Sequence, residues 1–151
     1  MKIRVRGSVL VVSDGKLLVV HLRDPATKKL YKMPPGGLVE EGETPKVAAL
    51  RELREETGYD AILEKGFEHI VDYPFVWNGE VNACRTHFFR GKVEGMPKPV
   101  AASERFLEGK EWLDFESLKK EWDFHPQLRD ALLPVLTGAP PKKPRPVRKK
   151  T

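Results

Sequence analysis

Two adjacent glycines, Gly36 and Gly37, stand between the proline pair Pro34-Pro35 and the most clearly marked helix of the chain. That juxtaposition constrains the fold more than any other feature. Thr44 suits an N-cap, Pro45 a first helical turn and Gly58 a C-terminal stop, so the helix runs between them. A helix turns about 100° per residue, which puts Glu52, Glu55 and Glu56 on one face. Leu50 and Leu53 point the other way, with Ala49 and Thr57 beside them, and would pack on a sheet. Like charges at such spacings cost an isolated helix roughly 0.2–0.5 kcal/mol per pair. The arrangement makes sense if divalent cations sit among the carboxylates. Hard oxygen donors with no His or Cys in the stretch select Mg²⁺ or Mn²⁺ over zinc. Such ions neutralise pyrophosphate oxygens and lower the pKa of bound water. The glycine pair lets backbone come close to a metal or a phosphate.

Around this helix the hydrophobic pattern predicts a sheet. Ile3–Val12 and Lys16–Leu22 are rich in β-branched and aliphatic residues, and Ser13-Asp14-Gly15 suits a turn between them. Asp24–Leu30 reads as a loop, Tyr31–Met33 as a short strand and Pro34–Gly37 as irregular. Ile62–Tyr73 and Glu80–Arg90 have strand character, with Asn78-Gly79 a hairpin signal. Glu111–Leu113 reads as a short strand, and Phe115–Glu121 and Gln127–Leu136 as helices. Strands before, between and after helices imply an α/β fold with a mixed sheet covered on both faces.

The 151 residues and 40% hydrophobic content suit one globular domain. Residues 1–137 form that domain in this reading. Gly138–Pro141 breaks the last helix, and the Pro/Lys/Arg-rich tail completes a second segment, 138–151, whose composition disfavours packing. The net charge of +5 belongs to that tail: six of the 27 basic residues lie in the last eleven positions, leaving the body nearly balanced against 22 acids. With a single cysteine, Cys84, the chain can form neither an intrachain disulfide nor a Cys-based zinc site. That fits a cytoplasmic protein. No stretch has the layout of a signal peptide or approaches a membrane span, so no membrane partner is expected.

The run from Gly37 to Tyr59 resembles the Nudix box, Gly-x5-Glu-x7-Arg-Glu-U-x-Glu-Glu-x-Gly-U, with U a bulky apolar residue. Gly37, Glu43, Arg51, Glu52, Glu55, Glu56 and Gly58 fill every fixed position and Leu53 the first apolar one. Tyr59 takes the second, where an aliphatic residue is usual. The resemblance implies the Nudix fold, an α/β/α sandwich with a mixed sheet and the box as loop-helix-loop. It implies metal-assisted attack of water on a nucleoside diphosphate linked to some group X: a nucleoside triphosphate, ADP-ribose or a nucleotide sugar. The carbonyl of Gly37 and the carboxylates of Glu52, Glu55 and Glu56 are the implied ligands of Mg²⁺ or Mn²⁺. Arg51 and Glu43 are the implied pair that orients loop against helix.

Family members often take a further carboxylate from a late loop as metal ligand or general base. Glu108 is the first choice here and Glu104 the second, while Glu111 would alternate within a strand. Arg23 and Lys32 flank the loop entering the box and are candidate phosphate contacts. His21, His69, His87 and His125 lack metal-ligand spacing and read as structural. Tyr73, Phe75 and Trp77 sit beside the hairpin turn and suit base stacking, hairpin-tip packing or a dimer contact. Pro74, fifteen residues after Tyr59, has a spacing associated with ADP-ribose hydrolases of the family, whereas Pro35-Gly36-Gly37 looks more like its triphosphate-cleaving members. The expected partner is a small nucleotide, with weak RNA contact through the basic tail, on a monomer or homodimer. Two alternatives stay open: an RNA 5′-end pyrophosphohydrolase, and a Nudix-fold binding module without catalysis.

Overall fold

The computed structural model describes residues 2–100 and 107–141. Among these residues, eight strands and three α-helices follow one another: β1 (Arg4–Ser13), β2 (Lys16–Arg23), β3 (Leu30–Met33), β4 (Gly36–Leu38), α1 (Pro45–Thr57), β5 (Ala61–Leu63), β6 (His69–Trp77), β7 (Glu80–Val93), β8 (Leu107–Asp114), α2 (Phe115–Glu121) and α3 (Pro126–Leu136). A 3₁₀ turn, Trp122–Phe124, joins the last two helices. The strands form a mixed sheet ordered β3-β2-β1-β7-β5, with β4 on β1, β6 on β7 and β8 on β2. β1 runs parallel to β7 from Arg4↔Cys84 to Val11↔Gly91, and the other pairings are antiparallel.

The alternation of β1 builds both layers of the sandwich. Val9 and Val11 turn to one face and join Leu18, Phe89 and the α1 residues Ala49 and Leu53. Leu10 turns to the other and joins Leu118 of α2, Leu128, Leu132, Val135 and Leu136 of α3, and Trp122. The mixed sheet with helices on both faces therefore stands as the sequence implied.

Three local readings change. Gly36 and Gly37 are not irregular; they begin β4, in register with Ser8 and Gly7. A Cβ on Gly36 would lie 2.7 Å from the Gly7 carbonyl oxygen and 2.8 Å from Ser8 Cβ, so glycine is what lets this strand lie against β1. The stretch Ile62–Tyr73 is not one strand: Gly66, at φ 80°, turns the chain between β5 and β6. β8 is longer than the expected Glu111–Leu113, because its pairing with β2 reaches from Asp114 back to Leu107 across a bulge.

Helix α1 begins and ends where its caps place it. Thr44 accepts the Val47 N–H at 3.2 Å, and Gly58 closes the helix at φ 78° with its N–H on the Arg54 carbonyl at 2.9 Å. The helix sits close on β1 because Gly7 has no side chain: a Cβ there would lie 2.9 Å from the Ala49 nitrogen and overlap the Pro45 carbonyl. No helix of the described residues is long and apolar enough to cross a membrane. Glu104 and most of the 138–151 segment, from Lys142 on, lie outside the described residues.

Candidate active site

Because Gly7, Val9 and Val11 face α1, the alternate residues Arg4, Arg6 and Ser8 face the opposite side. Pairing carries this division into β4. Gly37, opposite Gly7, faces the helix, and a Cβ on it would fall on the Glu52 side chain. Leu38, opposite Arg6, faces the other way. The glycine strand is thus a wall one residue thick, with the carboxylates of α1 on one side and a cavity on the other.

On the helix side Arg51 is the organising cation. Its Nε and Nη2 donate to the two oxygens of Glu43 at 2.7 and 3.0 Å. Nη2 also donates to the Leu38 carbonyl at 3.2 Å, and Nη1 to Glu52 at 2.9 Å and Glu55 at 3.3 Å. Glu43 further accepts the Glu40 N–H at 2.9 Å, which closes the loop between β4 and α1. Arg51 first, and the Glu40 N–H second, hold the Glu43 carboxyl below the usual carboxylate range. The pairing of Arg51 with Glu43 expected from the motif is therefore present as a two-point ion pair.

The three helix carboxylates differ in environment. Glu55 is half exposed, Glu52 largely covered, and Glu56 buried with 7% of its surface accessible. Glu56 accepts the Gly36 N–H at 3.2 Å, which ties helix to glycine strand. Burial pushes its carboxyl well above the ordinary carboxylate range, and neighbouring Glu52 adds to the rise. Among the described residues no three His, Cys, Asp or Glu side chains converge on one point as a complete ligand set. Glu52 and Glu55 instead share Arg51 Nη1. The donors still suit a hard cation: carboxylate oxygens, one of them buried against another carboxylate, beside a glycine whose missing Cβ leaves room.

The cavity on the other side measures about 200 Å³. Tyr73, Phe75 and Trp77, alternating along β6, form one wall, and Arg4, Arg6, Pro34 and Leu38 lie across from them. Tyr73, Phe75 and Trp77 line this cavity, and all three belong to or pack against the core cluster, with Trp77 next to the Asn78-Gly79 turn. A larger surface hollow lies away from the box, between β5, β7 and Leu136.

The other candidates are distributed as follows. Glu108 lies on β8, and both its oxygens accept from Arg23, at 2.9 and 2.7 Å. Arg23 holds the Glu108 carboxyl below its usual range. Lys32 is paired with Glu111 at 2.9 Å and Glu121 at 3.4 Å, and His21 also meets Glu111 at 2.7 Å. Arg23 and Lys32 thus spend their charge on protein carboxylates. The remaining histidines have structural partners: His69 meets the Ala131 carbonyl, His87 meets Glu68, and His125 caps α3.

Arg6, which lies in no motif, is a cavity-lining cation that the sequence reading did not single out. A signal was present, since Arg4, Arg6 and Ser8 form a polar period-two row at the start of an otherwise aliphatic strand.

A NUDIX domain model matches residues 1–133. The chain belongs to the Nudix hydrolase family. It is a hydrolase acting on pyrophosphate bonds, as the full box and the family membership together require. An RNA pyrophosphohydrolase of Sphingopyxis alaskensis is 30% identical over 126 residues, covering 76% of this chain and 78% of that protein. A mouse ADP-sugar pyrophosphatase is 33% identical over 98 residues, which cover 61% of this chain and 42% of that protein. A Nudix hydrolase structure from Nitrosomonas europaea superposes with a TM-score of 0.69 over 93% of both chains at 19% identity, a likeness of fold.

Proposed function

We propose that this Nudix hydrolase cleaves a small nucleotide of the form nucleoside diphosphate linked to X, with Mg²⁺ or Mn²⁺ held by Glu52, Glu55, Glu56 and the Gly37 carbonyl. One observation carries the reading: the glycine strand stands between the α1 carboxylates and an aromatic-walled cavity of about 200 Å³. That volume is below the usual range for a drug-sized ligand, roughly 300–1,000 Å³, and suits one ring system with its phosphate chain directed at the box. The metal, when bound, neutralises the pyrophosphate and acidifies water. The protein's own groups do the rest. Arg51 and Glu43 fix the loop that presents Gly37, and the Gly36 N–H fixes Glu56. In this reading a box carboxylate takes the proton of the attacking water, and Glu108 is paired with Arg23 on the surface. The buried free thiol of Cys84 suits a cytoplasmic setting.

A second reading, hydrolysis at an RNA 5′ end, is favoured by the likeness to the Sphingopyxis enzyme and by the basic tail. One panel separates the two. Nucleoside triphosphates, ADP-ribose, nucleotide sugars and 5′-triphosphate RNA are supplied with Mg²⁺ or Mn²⁺, to the full chain and to a chain ending at Ala139. Small-nucleotide turnover that survives truncation at about 0.15 M salt, where charges beyond roughly 8 Å are screened, supports the first reading. RNA as the best substrate, with a tenfold loss on truncation, supports the second.

A further inference from the structure

We propose that Arg6 is a substrate-binding residue whose guanidinium takes a phosphate oxygen of the nucleotide held in the cavity. The inference rests on the functional reading above and adds a contact that the box does not contain. Arg6 lies on β1, opposite Leu38 of the glycine strand and opposite Thr86 of β7. Its neighbours in the register, Gly7 and Gly37, face the carboxylate helix. It therefore pairs in register with Leu38, a residue of the box that lines the same cavity.

Its surroundings are largely apolar or already satisfied. The Tyr73 hydroxyl and Thr86 Oγ1, both buried, bond each other at 2.7 Å. Arg6 donates one long hydrogen bond, from Nη1 to the Tyr73 hydroxyl at 3.5 Å. Among the described residues no carboxylate lies within ion-pair distance of it, whereas Arg23, Arg51, Arg54, Arg85, Arg90 and Arg129 each have one. A guanidinium carries five N–H donors and no acceptor. Lining the cavity and bonded once, at the limit of distance, it keeps N–H donors open to the cavity rather than sealed in the core. A phosphate oxygen matches it in charge and geometry, and can be met by two parallel N–H bonds. Lys32 and Arg23, the basic residues the sequence nominates, are engaged by Glu111, Glu121 and Glu108. Arg4 lines the same cavity at its more exposed end.

The alternative is that Arg6 only balances the charge of Glu56 across the wall, and the experiment separates the two roles. Binding of α,β-methylene-ADP and of adenosine is measured by calorimetry with Mg²⁺, for the wild type, Arg6→Gln and Arg6→Lys. KM and kcat are measured on the best substrate of the panel. Loss of a charge-assisted contact predicts that Arg6→Gln weakens methylene-ADP binding about 10- to 100-fold and raises KM in step. Adenosine binding should be unchanged, and Arg6→Lys should recover part of the loss. Equal weakening of adenosine and methylene-ADP, or an unchanged KM beside a fallen kcat, overturns the contact. Should Arg6→Gln fail to fold, Arg6→Lys carries the test by the same readouts: unaltered nucleotide affinity and KM would overturn the proposal. A wild type that hydrolyses none of the panel and binds neither probe overturns the functional reading, and this contact with it.

Discussion

Gly37→Ala separates the chemistry of the site from the stability of the fold. A Cβ at this position would lie 2.5 Å from Glu52 Oε1 and 2.9 Å from Glu52 Cγ, whereas ordinary contact begins at 3.4 Å. The carboxylate must therefore retreat by about 1 Å. The obstructing atoms belong to a side chain, so backbone can stay in place, and an off-rotamer Glu52 costs about 0.5–1.5 kcal/mol. For a domain of this size that is a fall in Tm of roughly 2–6 °C. Activity should suffer far more, because a 1 Å misplacement in a reacting constellation costs about 10²-fold, equivalent to about 2.7 kcal/mol of transition-state stabilisation. The assay is kcat on the best panel substrate across a Mg²⁺ titration, with a melt of the same preparation. The expected variant is folded, about a hundredfold slower and in need of more Mg²⁺. A folded Gly37→Ala protein with wild-type turnover and metal demand would refute the placement of Glu52 beside this glycine in the working enzyme.

Gly7→Ala should behave in the opposite way: its Cβ meets backbone of α1, at the Ala49 nitrogen and the Pro45 carbonyl, so the helix must lift and stability should fall by about 1–3 kcal/mol, read by urea denaturation. Arg51→Ala should lower stability and Mg²⁺ affinity together, since one guanidinium holds Glu43, Glu52, Glu55 and the Leu38 carbonyl; a weaker KM with unchanged Tm and metal affinity would argue for direct substrate contact. Because Arg51 depresses the Glu43 pKa, the stabilisation from that pair is present at neutral pH and fades as pH drops from the usual carboxylate value through the lowered one. The gap in Tm between wild type and Arg51→Ala should therefore narrow below about pH 4. Glu108→Gln should keep turnover within about threefold of wild type if a box carboxylate is the base, and a loss of 10²-fold or more would return that role to Glu108.

The helix and its motif were legible in the sequence because their determinants are local. Thr44, Pro45 and Gly58 set the ends of α1, and a fixed angular step puts the glutamates on one face. Helices on both faces of the sheet were legible in the order of the elements, with strands before, between and after helices. The glycine pair was half legible. Its need for close approach was plain, but the object approached is β1 on one side and Glu52 on the other, and only tertiary structure brings those together. Partner choice among exposed charges was not legible at all. Arg23 finds Glu108 and Lys32 finds Glu111 across β2–β8 and β2–β3 pairings that no local pattern specifies. Arg6 acquires its position the same way, from a cavity closed by β6 residues more than sixty positions away.

Glu56→Gln tests the central claim most directly. The glutamine can still accept the Gly36 N–H while removing the buried charge. Turnover of the best substrate should be measured with Mg²⁺ and Mn²⁺ beside the wild type, with products identified and folding checked by melting. A metal-bearing carboxylate face predicts a folded protein slower by about 10³-fold or more, with weakened metal binding by calorimetry. Wild-type turnover with an unchanged metal requirement would contradict it.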